Sequence, residues 1–269
     1  MKTTASSILK PVLCCIVFTA LLALVSPLKH LFPPKFERYI YGITGSLLAI
    51  LVVGLFCKTD GKNFRQVGLY WQPSTIRRFL TGILLGIALS ATMMFLVIYP
   101  NGLTIKLVEN YDVYTFAIWS LAIFFLGWME EIAFRSYAFE TLKNSAGIWT
   151  AQIIIAVLFA LYHVAGGQDI LTSFLGPGSW AFIFGWAVLK TGGISMATGM
   201  HFAANIFQAA IGQKKQFAGI WKIDSPDMNN TLQSQLNLSG VLVQIALLVL
   251  GIILTYFVIR RNSKAGNKM

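Results

Sequence analysis

An all-α, polytopic bundle of about eight membrane-spanning helices is the fold class that this sequence predicts, and three observations carry it. Hydrophobic residues fill 56% of the 269 positions. Charged residues fill only 12%, against about 25% in a soluble domain. Apolar runs of roughly 20 residues, long enough to cross about 30 Å of hydrocarbon, recur along the whole chain, and the mean hydropathy is +0.69. These runs leave no space for a soluble domain beside them, so residues 1–269 read as one membrane domain.

Hydropathy and helix breakers place spans at 8–27, 39–57, 79–99, 114–140, 147–166, 170–190, 193–212 and 239–259. Lys2 and Lys10 precede the first apolar run, as they would in a signal peptide. No small-x-small cleavage site precedes Lys29, so this run reads as an uncleaved anchor. Pro33 and Pro34 stop any helix between the first two spans. Residues 62–78, KNFRQVGLYWQPSTIRR, mix Phe64, Leu69, Tyr70 and Trp71 with Lys62, Arg65, Arg77 and Arg78. That mixture suits a segment at headgroup level or an ordinary interfacial loop. Gly176-Pro177-Gly178 interrupts the sixth span, which is tolerable at membrane depth only under protein cover. The chain therefore divides into amino-terminal helices with an interfacial segment (1–112), a core (113–212), and a loop with a last helix (213–269). It shows no internal repeat of the sort that marks many transporters.

The formal charge of +11 does not indicate nucleic acid, because the basic residues sit in short loops and tails and form no stripe. They act as topology signals instead. One face receives Lys2, Lys10, Lys58, Lys62, Arg65, Arg77, Arg78, Lys143, Lys190, Arg260, Arg261, Lys264 and Lys268. The other receives Lys29, Lys35, Arg38, Lys106, Lys214, Lys215 and Lys222. The first face is the more basic, which favours both termini in the cytoplasm. Cys14, Cys15 and Cys57 have no zinc-type spacing and lie in or beside spans, where a thiol behaves as a small apolar group.

Against this background a few residues are expensive. The fourth span reads FAIWSLAIFFLGWMEEIAFRSYAF, and Glu130, Glu131 and Arg135 each cost several kcal/mol at membrane depth unless paired or hydrated. Residues four apart share a helical face. Glu131 and Arg135 are thus expected to pair within the helix, with Glu130 pointing about 100° away and free. Phe159 and His163 stand four apart on the fifth span, and His201 and Asn205 four apart on the seventh. Taken singly, a membrane His or Asn is most often glue between helices. Taken together on three helices, the set supplies an acid/base pair and polar donors, the parts that peptide hydrolysis needs.

In that order and spacing, Glu130-Glu131-x-x-x-Arg135, Phe159-x-x-x-His163 and His201-x-x-x-Asn205 resemble the three motifs of the CPBP family. That family comprises the CAAX prenyl-endopeptidase-like membrane proteases and the bacterial bacteriocin-processing and immunity proteins. The motifs cover about residues 125–210, and FRQVGLYWQPS ahead of the third span resembles the family's lead-in. Ser136 stands where many members carry Gly. The resemblance implies an intramembrane endopeptidase of a bacterial plasma membrane, acting on a membrane-associated or lipidated peptide, with lipid as its surroundings. It implies that Glu130 and His163 activate water, that His201 and Asn205 stabilise the oxyanion, and that Glu131 and Arg135 organise the site or position substrate. Metal-independent Glu/His catalysis is the preferred chemistry, with no cofactor. Glu130, His163 and His201 also match the three-ligand pattern of catalytic zinc, and that alternative stays open. Two further classes compete: a non-catalytic immunity or scaffold protein using the same network for packing, and a proton-coupled transporter.

Overall fold

The computed structural model describes residues 5–214, 219–225 and 230–266; Lys2, Lys215 and Lys268 of the charge assignment lie outside them, as does the side chain of Lys264. Ten helices follow in order: α1 (Ala5–Val25), α2 (Glu37–Thr59), α3 (Thr75–Ile98), α4 (Val113–Arg135), α5 (Tyr137–Ala146), α6 (Ile148–Ala165), α7 (Ile170–Leu175), α8 (Pro177–Thr191), α9 (Ser195–Ala210) and α10 (Asn230–Gly266). Seven helical stretches among the described residues are long and apolar enough to cross a membrane. The remaining expected span, the seventh, is α9, which has 16 residues and rises roughly 24 Å at about 1.5 Å per residue. It is an inner helix wrapped by longer ones.

Two expected spans are broken. The single span expected at 114–140 is divided at Ser136, which leaves helical geometry (φ −95°, ψ −108°) before α5 resumes. The break anticipated at Gly176-Pro177 is present: α7 closes at Leu175 and α8 opens with Pro177 at its first position, where its missing N–H costs nothing. The last helix starts at Asn230, well ahead of the expected residue 239. Its outer face carries Leu238, Leu242, Ile245, Val249 and Phe257, all exposed. Leu47, Leu51 and Leu55 on α2 and Leu80 and Leu84 on α3 are likewise exposed. Faces this apolar require lipid, and the chain is a multi-pass integral membrane protein.

Small residues set the closest packing. A Cβ added at Gly82 would meet the carbonyl of Met196, at Gly86 that of Met200, and at Gly199 that of Phe79. The small-xxx-small pattern thus lets α3 and α9 approach backbone to backbone, which fixes the helix bearing His201. The 62–74 segment opens with a capping box of Asn63 and Gln66, and Gly68 closes its 3-10 turn at φ +76°. That left-handed conformation is open to Gly at no steric cost. Gly68 then packs on Gly193, ahead of α9.

The chain ends share one face. Ser145 donates to the carbonyl of Ser7, Lys10 pairs with Asp60 after α2, and Gln152 near the start of α6 donates to Thr255 late in α10. At the opposite face lies a two-stranded antiparallel sheet that sequence patterning missed: β1 (Thr104–Leu107) pairs with β2 (Trp221–Asp224), with Thr104 opposite Asp224 and Leu107 opposite Trp221. Lys106 and Asp224 form an ion pair across it at 2.5 Å.

Candidate active site

The expensive residues of α4 converge on α9. His201 is 6% exposed, and Glu131 and Arg135 are completely buried. His201 Nδ1 lies 2.8 Å from Glu131 Oε1, and its Nε2 lies 3.6 Å from Glu130 Oε2. Arg135 Nη1 stands 3.5 Å from Glu131 Oε1, the intrahelical pair expected from the spacing. One imidazole therefore bridges two adjacent carboxylates. An ionised Glu131 only accepts, so Nδ1–H donates to it, and Nε2 is the nitrogen turned toward Glu130.

His163, near the end of α6, reaches the site through aromatic neighbours. Its Nδ1 is 2.8 Å from the carbonyl of Phe159. A carbonyl cannot donate, so Nδ1 carries the proton and the neutral ring offers its Nε2 lone pair. Tyr162 O–H points to Glu130 Oε1 at 3.4 Å. Among the described residues no direct hydrogen bond joins Glu130 to His163; the structure brings Glu130 next to His201 and Tyr162 instead.

Aromatic rings replace most of the water that such charges would need. The Arg135 guanidinium lies 3.9 Å above the Phe159 ring. His163 packs edge-on to that ring, with centroids 4.6 Å apart, and Phe184 stacks on His201 at 4.6 Å and 16°. Even so, Glu130 Oε2, Glu131 Oε2 and all three guanidinium nitrogens of Arg135 are buried without a hydrogen-bond partner. Asn205, one turn past His201, accepts at Oδ1 from Lys214 Nζ at 2.7 Å. Tyr162, Phe184 and Lys214 were not singled out as site residues by spacing. Tyr162 adjoins His163 in the sequence, which is a usable signal, whereas Phe184 and Lys214 arrive by long-range packing.

An apolar cavity of about 540 Å³ lies against the same two helices. Trp128 and Ile132 of α4 and Thr198 of α9 form its inner wall, and Phe64, Tyr70 and Trp71 of the amphipathic segment line it too.

Residues 112–207, from the cap of α4 into the last turns of α9, match the family model described as Type II CAAX prenyl endopeptidase Rce1-like. This segment is similar to that family. No curated protein matches the chain. All six polar residues read from the sequence (Glu130, Glu131, Arg135, His163, His201 and Asn205) fall inside the Rce1-like segment. The segment is similar to a family of prenyl endopeptidases, and that likeness supports a membrane-embedded peptidase.

Among the described residues, no three His, Cys, Asp or Glu side chains stand together in a way that would hold a metal ion. Glu130, His163 and His201 do not fit as a ligand set in this arrangement.

Proposed function

We propose that the Rce1-like segment is an intramembrane endopeptidase that hydrolyses a peptide bond of a membrane-associated or lipidated peptide by Glu/His chemistry. The observation that carries this reading is the bridge of His201 between Glu131 and Glu130 inside a water-poor bundle. Glu131, paired with Arg135, holds the His201 ring in one tautomer and turns Nε2 toward Glu130. Glu130 is the acceptor for a proton of the attacking water, with His163 Nε2 as the second base. As the tetrahedral intermediate forms, negative charge develops on the former carbonyl oxygen; the Asn205 amide stabilises it, together with His201, whose Nε2 takes up from Glu130 the proton that left the water. The proton taken from water then passes to the leaving amine. The low local dielectric strengthens each of these interactions, and the fixed aromatic rings spare the site any reorganisation during reaction.

We further propose that both chain ends face the cytoplasm, as the distribution of Lys and Arg favours, in the plasma membrane of a bacterium. His163 lies two residues from the end of α6 and Asn205 in the second half of α9, both toward the face opposite the chain ends. The scissile bond accordingly approaches from the non-cytoplasmic side. Reporter domains fused after Met269 and within the 213–229 loop should report opposite compartments.

The deciding experiment compares the termini of membrane peptides in cells making wild-type protein, Glu130→Ala or His163→Ala, with expression matched. Termini present only with wild type identify substrates. Purified protein should then cleave those peptides after exhaustive chelation, and either variant should lose roughly 10³-fold in kcat, within the usual range for general acid–base groups. Unchanged termini in both variants would end the peptidase reading, and loss of activity on chelation would end the metal-free one.

A further inference from the structure

Lys214 belongs to no motif, and by sequence it is one more loop charge. The structure gives it a site. After α9 ends, Gly212 adopts φ +73°, a left-handed turn that a side chain would disfavour. Gly212 N–H donates to the Ala209 carbonyl and Gln213 N–H to that of Gln208. The chain thereby doubles back along α9. The adjoining sheet ties this turn down: Ile220 N–H donates to the Ala210 carbonyl, and Val108 N–H to that of Ile220. Lys214 is thus delivered to Asn205, nine residues earlier, with its ammonium 2.7 Å from Oδ1.

The chemistry of that contact has only one sense. An ammonium donates three hydrogens and accepts none, so the amide oxygen of Asn205 must face it. The Nδ2 hydrogens point the other way. Left alone, a carboxamide has two orientations of similar shape and opposite polarity, and one of them would turn an oxygen lone pair on a developing oxyanion. We propose that Lys214 is a positioning residue of the reaction centre, holding the Asn205 carboxamide by its oxygen so that Nδ2–H is the end presented to the scissile carbonyl. This rests on the reading of Asn205 as an oxyanion donor. Burial brings the Lys214 ammonium down to about 8, against the opposing pull of Glu130 and together with the nearby charge of Arg38. The clamp consequently weakens as pH rises through that value.

Kinetics on a peptide found by the terminus comparison, or on an internally quenched farnesylated CAAX-type peptide, separate the outcomes. Asn205→Ala should cost about 100-fold in kcat, the usual effect of losing one oxyanion donor. Lys214→Met should cost about tenfold in kcat with KM unchanged, since the interaction matters only as charge develops. Lys214→Arg, which keeps a pure donor, should retain activity and shift upward the alkaline fall in kcat expected of wild type near pH 8. In the Asn205→Ala background, Lys214→Met should add nothing. A Lys214→Met variant with wild-type kcat, or one whose loss multiplies that of Asn205→Ala, overturns the positioning role alone. A loss confined to KM, and abolished when the peptide's carboxyl end is amidated, overturns it in favour of a substrate-carboxylate contact. Wild-type kcat in Asn205→Ala removes the oxyanion reading of Asn205, and the positioning role falls with it.

Discussion

Two charge clusters, one partly exposed near the chain ends and one enclosed between α4 and α9, are built on different terms. Near the chain ends, Asp60 accepts from Lys10 Nζ at 2.5 Å and from Tyr137 O–H at 2.7 Å, while Lys62 stands 3.7 Å away and donates to Thr141 Oγ1 at 2.9 Å. Every polar side-chain atom in that knot has a partner, and together they tie α1, α2 and α5. At the other cluster, two carboxylate oxygens and a whole guanidinium are buried without one. A buried polar group costs little when satisfied and several times more when not. The Asp60 knot therefore stabilises the fold, whereas the Glu130–Glu131–His201 cluster costs stability, as the proposed reaction centre would.

The sharpest way to break that contrast is Glu130→Gln. It keeps the shape of the side chain and removes the base, so cleavage should fall roughly 10³-fold. Because it also removes a poorly paired buried charge, the midpoint of thermal unfolding in lipid nanodiscs should hold or rise. A variant that is both inactive and clearly less stable would mean that Glu130 serves packing, and the distinction between the two clusters would collapse.

Next in size is the mirror experiment. Asp60→Ala removes two hydrogen bonds to a charge and leaves Tyr137 without an acceptor, at a cost of about 2 kcal/mol after allowing for partial solvent screening. Unfolding should shift down by that amount while kcat stays within about twofold, since a knot that makes no contact with the reacting groups contributes nothing that changes between ground and transition state. Reduced kcat at full stability would place Asp60 in the catalytic apparatus.

The two clusters also differ in how readily the sequence discloses them. Glu131 and Arg135 are legible because an intrahelical pair depends only on spacing, and Glu130, His163, His201 and Asn205 because polar residues are conspicuous in apolar runs. The breaks at Pro33-Pro34 and Gly176-Pro177 follow from backbone chemistry, so they too were readable. The Ser136 break was not, since Ser is an ordinary helix residue and only tertiary packing selects its φ and ψ. The pairing of His201 with Glu131, the stacking of Phe184, the reach of Lys214 and the β1–β2 sheet all join residues far apart in sequence. Spacing carries no information about these. The Asp60 knot was invisible for the same reason: Lys10, Asp60, Lys62 and Tyr137 each look like ordinary residues at the ends of spans.

The smallest effect concerns pH. Burial alone would raise the Asp60 carboxyl, but hydrogen bonds from Lys10 and Tyr137 and the charges of Lys10 and Lys62 outweigh it, so its pKa lies below the usual carboxylate value of 3.8. A carboxyl depressed in the folded state binds protons more readily once unfolded. Its stabilisation is thus complete above the unfolded value, near pH 4, and is lost as pH falls through the lower folded value. Wild-type protein and Asp60→Ala should accordingly differ in unfolding midpoint by a constant amount from pH 5 to 7 and converge below pH 4. The site should show no matching convergence for Asp60→Ala in its kcat profile, because the knot and the reaction centre share no titrating group. A kcat profile that moved with Asp60 would couple the two clusters and would make the chain-end face part of the catalytic unit.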